Sequence, residues 1–548
     1  MAYLLFPGRH LVNTRFQEEY LLAWLKQPLT SLPVIGSVPG DGTLDELVFG
    51  ITSANQANSR FNPIPFHVRA LGVDRFARHL KDALDLDYRI VGIPHFGPTN
   101  RFAELTIKEI REQTEDDLAL TPANTVVLCS TPALIEAYLA LGYAVLPAEW
   151  DAATSSFQAV TPIEVIKRLA DLGSAWDDDP QLRRTLAPAW YGLFRDFPEV
   201  PKRITRLYQD PLLNDHGSLT DTRNYGTYAR AMDSIIGLKY QEIKVGVVPG
   251  KIVDEGCADG ALLVQLAKDF PDSDLLGIDI AAEFIARCHE RQRMGEFGGA
   301  FVHVHQRNLL DPIFTPGSID TTICNSTTHE LWSYGDRQTT LDAYLAEKFR
   351  QTRKGGRLVI RDVVGFPEKH EPVLMVCEDA DGSNDDIFKE FADNEALATH
   401  LEALSTRARF LRFARDFLAE QRQAGTRGPE TQIQFEELEV AGRPGFWLRW
   451  KDAMEFLTKK DYVDNWRSEV QEEFCFWSFD EWKQALARAG FAVLENPNQP
   501  EEGSRAYLSA WRVQHSFRNK VMFYTENAGG HSLLDYPPTN MILVGEKR

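Results

Sequence analysis

The chain has 548 residues, longer than one ordinary core, which implies two or three domains. Hydrophobic residues make up 43% and charged residues 25%, so globular cores can form throughout; no stretch approaches the roughly 20 apolar residues of a membrane span. A net charge of -20, with no Lys/Arg run, speaks against nonspecific nucleic-acid binding and leaves a small molecule or a protein as the natural partner.

The opening MAYLLFPGRH lacks the basic start and long apolar run of a signal peptide and reads as a first strand. Strand candidates follow at 46–52, 88–94, 124–130 and 143–149, with amphipathic helical runs such as FQEEYLLAWL and DRFARHLKDAL between them. That rhythm predicts a parallel sheet covered by helices on both faces. Residues 161–212 read as helical. The segment 210–226 is dense in Asp, Asn, Gly and Thr, residues that favour turns, and it marks a domain boundary. The Tyr225, Tyr228 and Arg230 cluster just beyond reads either as a lid or as ordinary helix packing.

A second α/β series begins at KIVDEG (251–256) and continues through strand candidates at 275–280, 301–306, 319–325 and 356–364. Residues 367–440 turn charged and predominantly helical. Strand and helix signals return at 479–495, 520–524 and 541–547, which predicts one sheet interrupted late by a helical insert. The expected division is a domain over 1–212, a linker with lid helices over 213–250, and a second domain over 251–548 carrying the insert at 367–440. The fold class is α/β, with two doubly wound Rossmann-like domains. Six scattered cysteines (129, 257, 288, 324, 377 and 475) form no CxxC pair, so neither a zinc site nor a disulfide framework is expected, no metal ligand set is predicted, and a reducing cytoplasm fits.

VDEGCADG (253–260) follows a strand and opens a helix. Gly256 and Gly260 allow the backbone to approach a ligand that Cβ atoms would block, and helix-start amides nearby suit a carboxylate. A dinucleotide fingerprint would need glycine where Ala258 stands, and a P-loop ending is absent. Asp279 ends the second strand, 19 residues after Gly260, where an acid can accept two ribose hydroxyls. Asn308 follows the third strand. Turn, spaced acid and strand order together resemble the class I S-adenosylmethionine-dependent methyltransferases, over about 225–548. The resemblance implies S-adenosyl-L-methionine as cofactor. It implies a lining of Glu255, Gly256, Cys257 and Gly260 from the turn, Asp279 and Ile280 from the second strand, Asn308 and Leu309 from the third, and Asn325 from the fourth.

Methyl transfer needs an aligned acceptor, and an oxygen or nitrogen acceptor usually needs its proton removed. CNSTTHELWSY (324–334) lies where the acceptor should approach. His329 is the candidate general base, with a helix-cap or pocket-lining role as the alternative, and Glu330 follows as a candidate substrate contact. Arg361 and Asp362 end the fifth strand, where a charged pair is costly unless it is paired or faces the site; Arg361 is read as a substrate contact and Asp362 as catalytic. The aromatic and acidic stretch 459–482 suits either a substrate wall or a core.

In the first domain, PGRH (7–10), ITSANQANSRFNPIPFHVRA (51–70) and YRIVGIPHF (88–96) resemble archaeal-type nicotinamide-mononucleotide adenylyltransferases. The resemblance implies a nucleotide-like site at Gly8, Arg9, Thr14, Ser53, Asn55 and Arg69. Two departures matter. Gln17 replaces the second histidine of the transfer motif, and Glu164 stands near the position of a phosphate-clamping arginine after Thr161. A neutral amide stabilises a developing phosphate charge less than an imidazolium does. The expected function is a small-molecule methyltransferase whose first domain binds a nucleotide-like substrate portion or scaffolds. A bifunctional nucleotidylyltransferase/methyltransferase and a non-catalytic cofactor-binding assembly protein stand as alternatives.

Overall fold

The computed structural model describes residues 2–548 except 98, 148, 152–155, 158–159, 220–234, 441, 496–503 and 528–529. Tyr225, Tyr228 and Arg230 lie outside the described residues. The chain divides into two units, Met1–Gly217 and Ser218–Arg548, within the turn-rich segment read as a boundary.

The first unit is built on five parallel strands, β1 (Tyr3–Gly8), β2 (Glu46–Ile51), β3 (Asp87–Gly92), β4 (Thr125–Leu128) and β5 (Ala144–Leu146), in the order β3-β2-β1-β4-β5. Most of β1 and all of β2, β4 and β5 are buried, as continuous apolar runs in a helix-covered parallel sheet should be. Helices α1 (Arg15–Trp24), α2 (Phe66–Leu84), α3 (Pro162–Leu172) and α4 (Glu199–Gln209) belong to this unit. Phe49, Phe76, Trp190 and Phe194 fill the core beneath α2.

The second unit carries β6 (Lys251–Glu255), β7 (Asp274–Asp279), β8 (Phe301–Gln306), β9 (Ile319–Asn325) and β10 (Thr352–Val363), close to the bounds the pattern predicts. Helices α5 (Ala261–Asp269), α6 (Ala282–Arg293), α7 (Thr328–Tyr334) and α8 (Arg337–Gln351) connect them. The sheet order is β8-β7-β6-β9-β10, so β6 and β9 flank the point where strand order reverses.

After β10 the structure departs from the expected helical insert. Helices α9 (Asn394–Ala403) and α10 (Thr406–Asp416) are present, separated where the Ser405 hydroxyl accepts the Ala408 amide and caps the second. They pack on a separate antiparallel sheet built from β11 (Pro372–Cys377), β12 (Phe435–Val440) and β13 (Arg443–Arg449). Past α11 (Trp450–Lys459) and α12 (Phe479–Ala489), the main sheet gains β14 (Ala492–Val493) and β15 (Arg505–Tyr507). Then β16 (Val521–Asn527) and β17 (Gly530–Leu534) join the second sheet, in the order β12-β13-β11-β16-β17. The 520–524 strand therefore belongs to the insert rather than to the main sheet. The chain then returns to the main sheet with β18 (Asn540–Glu546), antiparallel beside β10, with β14 and β15 both pairing to it. The insert has its own core: Phe410 lies 4.5 Å from Phe446 and 5.3 Å from Phe456, ring to ring. Charge content made the segment look helical, while β11 depends on partners far along the chain and β12 on a hairpin with β13.

Among the described residues, no helix is long and apolar enough to cross a membrane.

Candidate active site

Strand alternation sorts the turn residues. Asp254 and Glu255 take opposite faces of β6, and Gly256 follows in the turn. Gly256 has φ +70°, and a Cβ there would meet the Thr327 hydroxyl at 2.2 Å, so both conformation and space demand glycine. The Gly256 and Cys257 amides donate to the Ile278 carbonyl at 2.8 and 3.0 Å, tying the turn to the end of β7. The Ala258 amide donates to Asp279 Oδ2 at 3.0 Å, and the Ala281 amide to Oδ1 at 2.8 Å. Gly260, φ +83°, stands at the N-cap of α5. Glycine turn and spaced acid are thus adjacent, with the helix start beside them. Ile280 lies just past β7, its carbonyl accepting from the Gln306 amide group. Asn308 is buried and caps its own loop through the Leu310 amide, while the Leu309 carbonyl accepts from Lys348. Asn325 ends β9, buried, and its Oδ1 finds no hydrogen-bond partner among the described residues.

Glu255 corrects the expected lining. Its carboxylate is fully buried on the opposite face, paired with Lys348 and accepting from the Tyr344 hydroxyl at 2.7 Å, both on α8. It belongs to the core. The acid on the other face of β6 is Asp254, near Asp279, and sequence reading passed it over. Burial, reinforced by the nearby Asp279 and Glu255 charges, pushes its carboxyl up to about 8, and its Oδ2 has no hydrogen-bond partner among the described residues. The signal was local: an acid inside an otherwise apolar strand, two residues before the glycine.

At the other end, the start of α7 wraps around Asp362. Asp362 Oδ2 accepts from the amides of Thr327 and Thr328 at 3.0 and 2.6 Å and from the Thr328 hydroxyl at 2.6 Å. Its Oδ1 lies 2.7 Å from His329 Nδ1. Burial opposes its charge, but His329 and these donors hold its carboxyl down at about 2. On the far side, His329 Nε2 lies 3.4 Å from Glu472 Oε2. Burial pulls the imidazole toward neutrality; Asp362 and then Glu472 outweigh it, holding its pKa well above the ordinary 6.5. The candidate base is thus held between two carboxylates, Asp362 at Nδ1 and Glu472 at Nε2. Glu330, half-buried, follows on the same turn.

Arg361 points elsewhere. Being next to Asp362 on β10, it faces the other side, where its guanidinium donates to Glu242 at 2.7 Å and to the Tyr507 hydroxyl at 2.9 Å, so a substrate contact is not what holds it. Near it, burial and then the Arg361 charge lower the Lys239 ammonium to about 7; its Nζ lies 3.1 Å from the Ser326 hydroxyl.

In the first unit, a cleft of about 990 Å³ opens where β1 and β4 diverge, and Gly8, Arg9, Gln17, Ser130 and Glu149 contribute to its lining. Thr14 caps α1, its hydroxyl accepting the Gln17 amide. The Ser53 hydroxyl meets His95 Nδ1 at 3.2 Å, and Asn55 Oδ1 accepts the His95 amide at 2.6 Å. Arg69 corrects the nucleotide-site expectation. It is fully buried, and its terminal nitrogens donate to the carbonyls of Arg9, Thr52 and Ser53 at 2.7, 2.8 and 2.7 Å, so they staple the loops together. Gln17, at the position of the missing histidine, donates to Glu149 at 2.6 Å, placing a carboxylate in the cleft. Glu164 and Thr161 form a capping box at the start of α3.

Residues 249–416 match the family model described as a methyltransferase domain. No curated protein matches the chain. Similar solved structures include a protein provisionally assigned as an O-methyltransferase from Nostoc punctiforme PCC 73102, 12% identical over 59% of this chain and 60% of that one, TM-score 0.28. Less than two thirds of that protein's own length is spanned. A SAM-dependent methyltransferase from Methanosarcina mazei is 14% identical over 57% of this chain and 96% of its own, TM-score 0.26. The geranyl diphosphate C-methyltransferase from Streptomyces coelicolor A3(2) is 10% identical over 62% and 93%, TM-score 0.30. Likenesses of this order carry no argument about substrate. On the matched segment and the geometry of the glycine turn against Asp279, the 249–416 region is an S-adenosylmethionine-dependent methyltransferase domain on a class I sheet.

Proposed function

We propose that the protein methylates a small molecule, and that its first unit serves substrate binding or scaffolding rather than nucleotidyl transfer. The observation that carries the acceptor reading is the enclosure of the acceptor end: His329, Asn325 and Asp362 are buried, and the insert supplies Glu472 and Phe474 against His329. A polymer acceptor needs an open cleft, whereas a small one is served by a closed, aromatic-walled pocket that excludes water. The cofactor side fits its ligand: helix-start amides for a carboxylate, Asp279 beside the turn for ribose hydroxyls, and Asp254 with an unmet oxygen. For the first unit, Glu149 beside Gln17 favours the scaffolding or non-phosphate reading, since a carboxylate repels a triphosphate where the transfer motif would hold one. The six buried, unpaired cysteines favour a cytoplasmic location.

Calorimetric titration with S-adenosylhomocysteine tests the donor site, and a methyl-transfer screen over small hydroxy, amino and carbon acids tests the acceptor class. Turnover only on a protein or nucleic acid would overturn the small-molecule reading. Pyrophosphate release from ATP and mononucleotides well above blank would overturn the reading of the first unit.

A further inference from the structure

We propose that His329, Glu330 and Glu472 form a binding site for a divalent first-row transition cation on the acceptor side of the methyltransferase domain. One ligand atom from each lies within 4.8 Å of the others. Divalent zinc holds imidazole nitrogen and carboxylate oxygen at about 2.0–2.2 Å, which sets neighbouring corners of a tetrahedron about 3.4 Å apart. His329 Nε2 and Glu472 Oε2 are 3.4 Å apart.

The outer shell independently points to a ligand. Metal-bound histidines generally give their second ring nitrogen to a carboxylate, which turns the first toward the ion. Asp362 Oδ1, 2.7 Å from Nδ1, does this and leaves Nε2 toward Glu472, 3.4 Å away. Glu472 is held as firmly. The Tyr334 hydroxyl donates to its Oε1 at 3.2 Å. The backbone after it is pinned by Ser333, whose hydroxyl accepts the Glu473 amide at 2.8 Å, and by Glu455, which accepts the Phe474 and Cys475 amides at 2.8–3.0 Å. Ligands from α7 and from the segment after α11 are therefore brought together by preset contacts on both sides.

One imidazole with two carboxylates suits manganese, iron or zinc better than calcium. Three protein ligands leave a coordination position open, the pattern of catalytic rather than structural ions. The same turn of α7 packs Thr327 against Gly256, so an acceptor oxygen on the ion would be held beside the donor turn.

The full-length protein, stripped with a chelator, is titrated with Mn²⁺ followed by electron paramagnetic resonance and with Zn²⁺ followed by calorimetry. Saturable binding of one equivalent at micromolar affinity or tighter is expected. Asp362→Asn should weaken it about 10–100-fold, as loss of a second-shell carboxylate does. His329→Ala should abolish it. Glu330→Gln, at the half-buried ligand, gives the arm least exposed to folding failure and should weaken binding at least as much as Asp362→Asn. No saturable binding up to millimolar ion, or unchanged affinity in Glu330→Gln and His329→Ala, overturns the proposal. Affinity for S-adenosylhomocysteine, measured on the same preparations, separates failure of the metal site from failure of the donor site.

Discussion

Asp362 Oδ1 lies 2.7 Å from His329 Nδ1, and the other oxygen of the same carboxylate receives the first amides of α7. One buried anion at the end of β10 thus caps a helix and orients a histidine. Neither task can be lost separately.

Asp362→Asn keeps the shape and removes the charge. With five donors and an imidazole around it, the variant should lose about 2–4 kcal/mol of unfolding free energy, as when one member of a buried ionic network is removed. Urea denaturation checks this. Methyl transfer should fall far more than cofactor affinity, because the acceptor side alone is disordered. Equal loss of both would contradict the placement.

Gly256→Ala adds a Cβ 2.2 Å from the Thr327 hydroxyl in a left-handed conformation. The backbone cost is about 1–2 kcal/mol before any clash is counted. S-adenosylhomocysteine affinity should drop at least tenfold by calorimetry, with the far-ultraviolet spectrum unchanged.

Asp254 gives a pH signature. Its carboxyl sits at about 8 in the folded protein against 3.8 for the free group, so the folded state holds a proton that the unfolded chain releases across that window. Stability contributed by this group is complete below about pH 4 and lost as pH rises through about 8. Wild type should therefore lose ground to Asp254→Asn between pH 4.5 and 8.5 in urea unfolding (roughly the titration window). Parallel curves for the two proteins would refute the shift.

Lys348 and Glu255 are both fully buried and paired. Lys348→Met strands the carboxylate and should cost about 3–5 kcal/mol. The double variant Lys348→Met with Glu255→Leu should recover most of that loss, since it removes both charges from the core. Thermal unfolding of the two variants reads the difference directly. No recovery in the double variant would mean that Glu255 serves something beyond the pair.

Local pattern carried a good deal of the fold. Alternating apolar runs marked the strands of both sheets, and the glycine spacing in VDEGCADG marked the turn, because these depend on a few consecutive residues and on backbone geometry. The same logic failed at Glu255 and Arg69. Both are charged residues in suggestive motifs, yet each is consumed by a partner that no local spacing announces. The 367–440 segment misled for a related reason. Its helices show a visible period, but its strands gain their hydrogen bonds from 443–449 and 521–524.

From sequence alone came two α/β units, a glycine turn at Gly256–Gly260 beside Asp279, and His329 as the residue to watch; each is written in a short stretch of chain. Only tertiary structure could bring Glu472 to within 3.4 Å of that histidine, across 143 residues of sequence (472 − 329), and set Asp362 behind it. Such pairings arise from the packing of separately formed elements, and hydrophobic periodicity records which face of an element is buried but not which distant residue it meets.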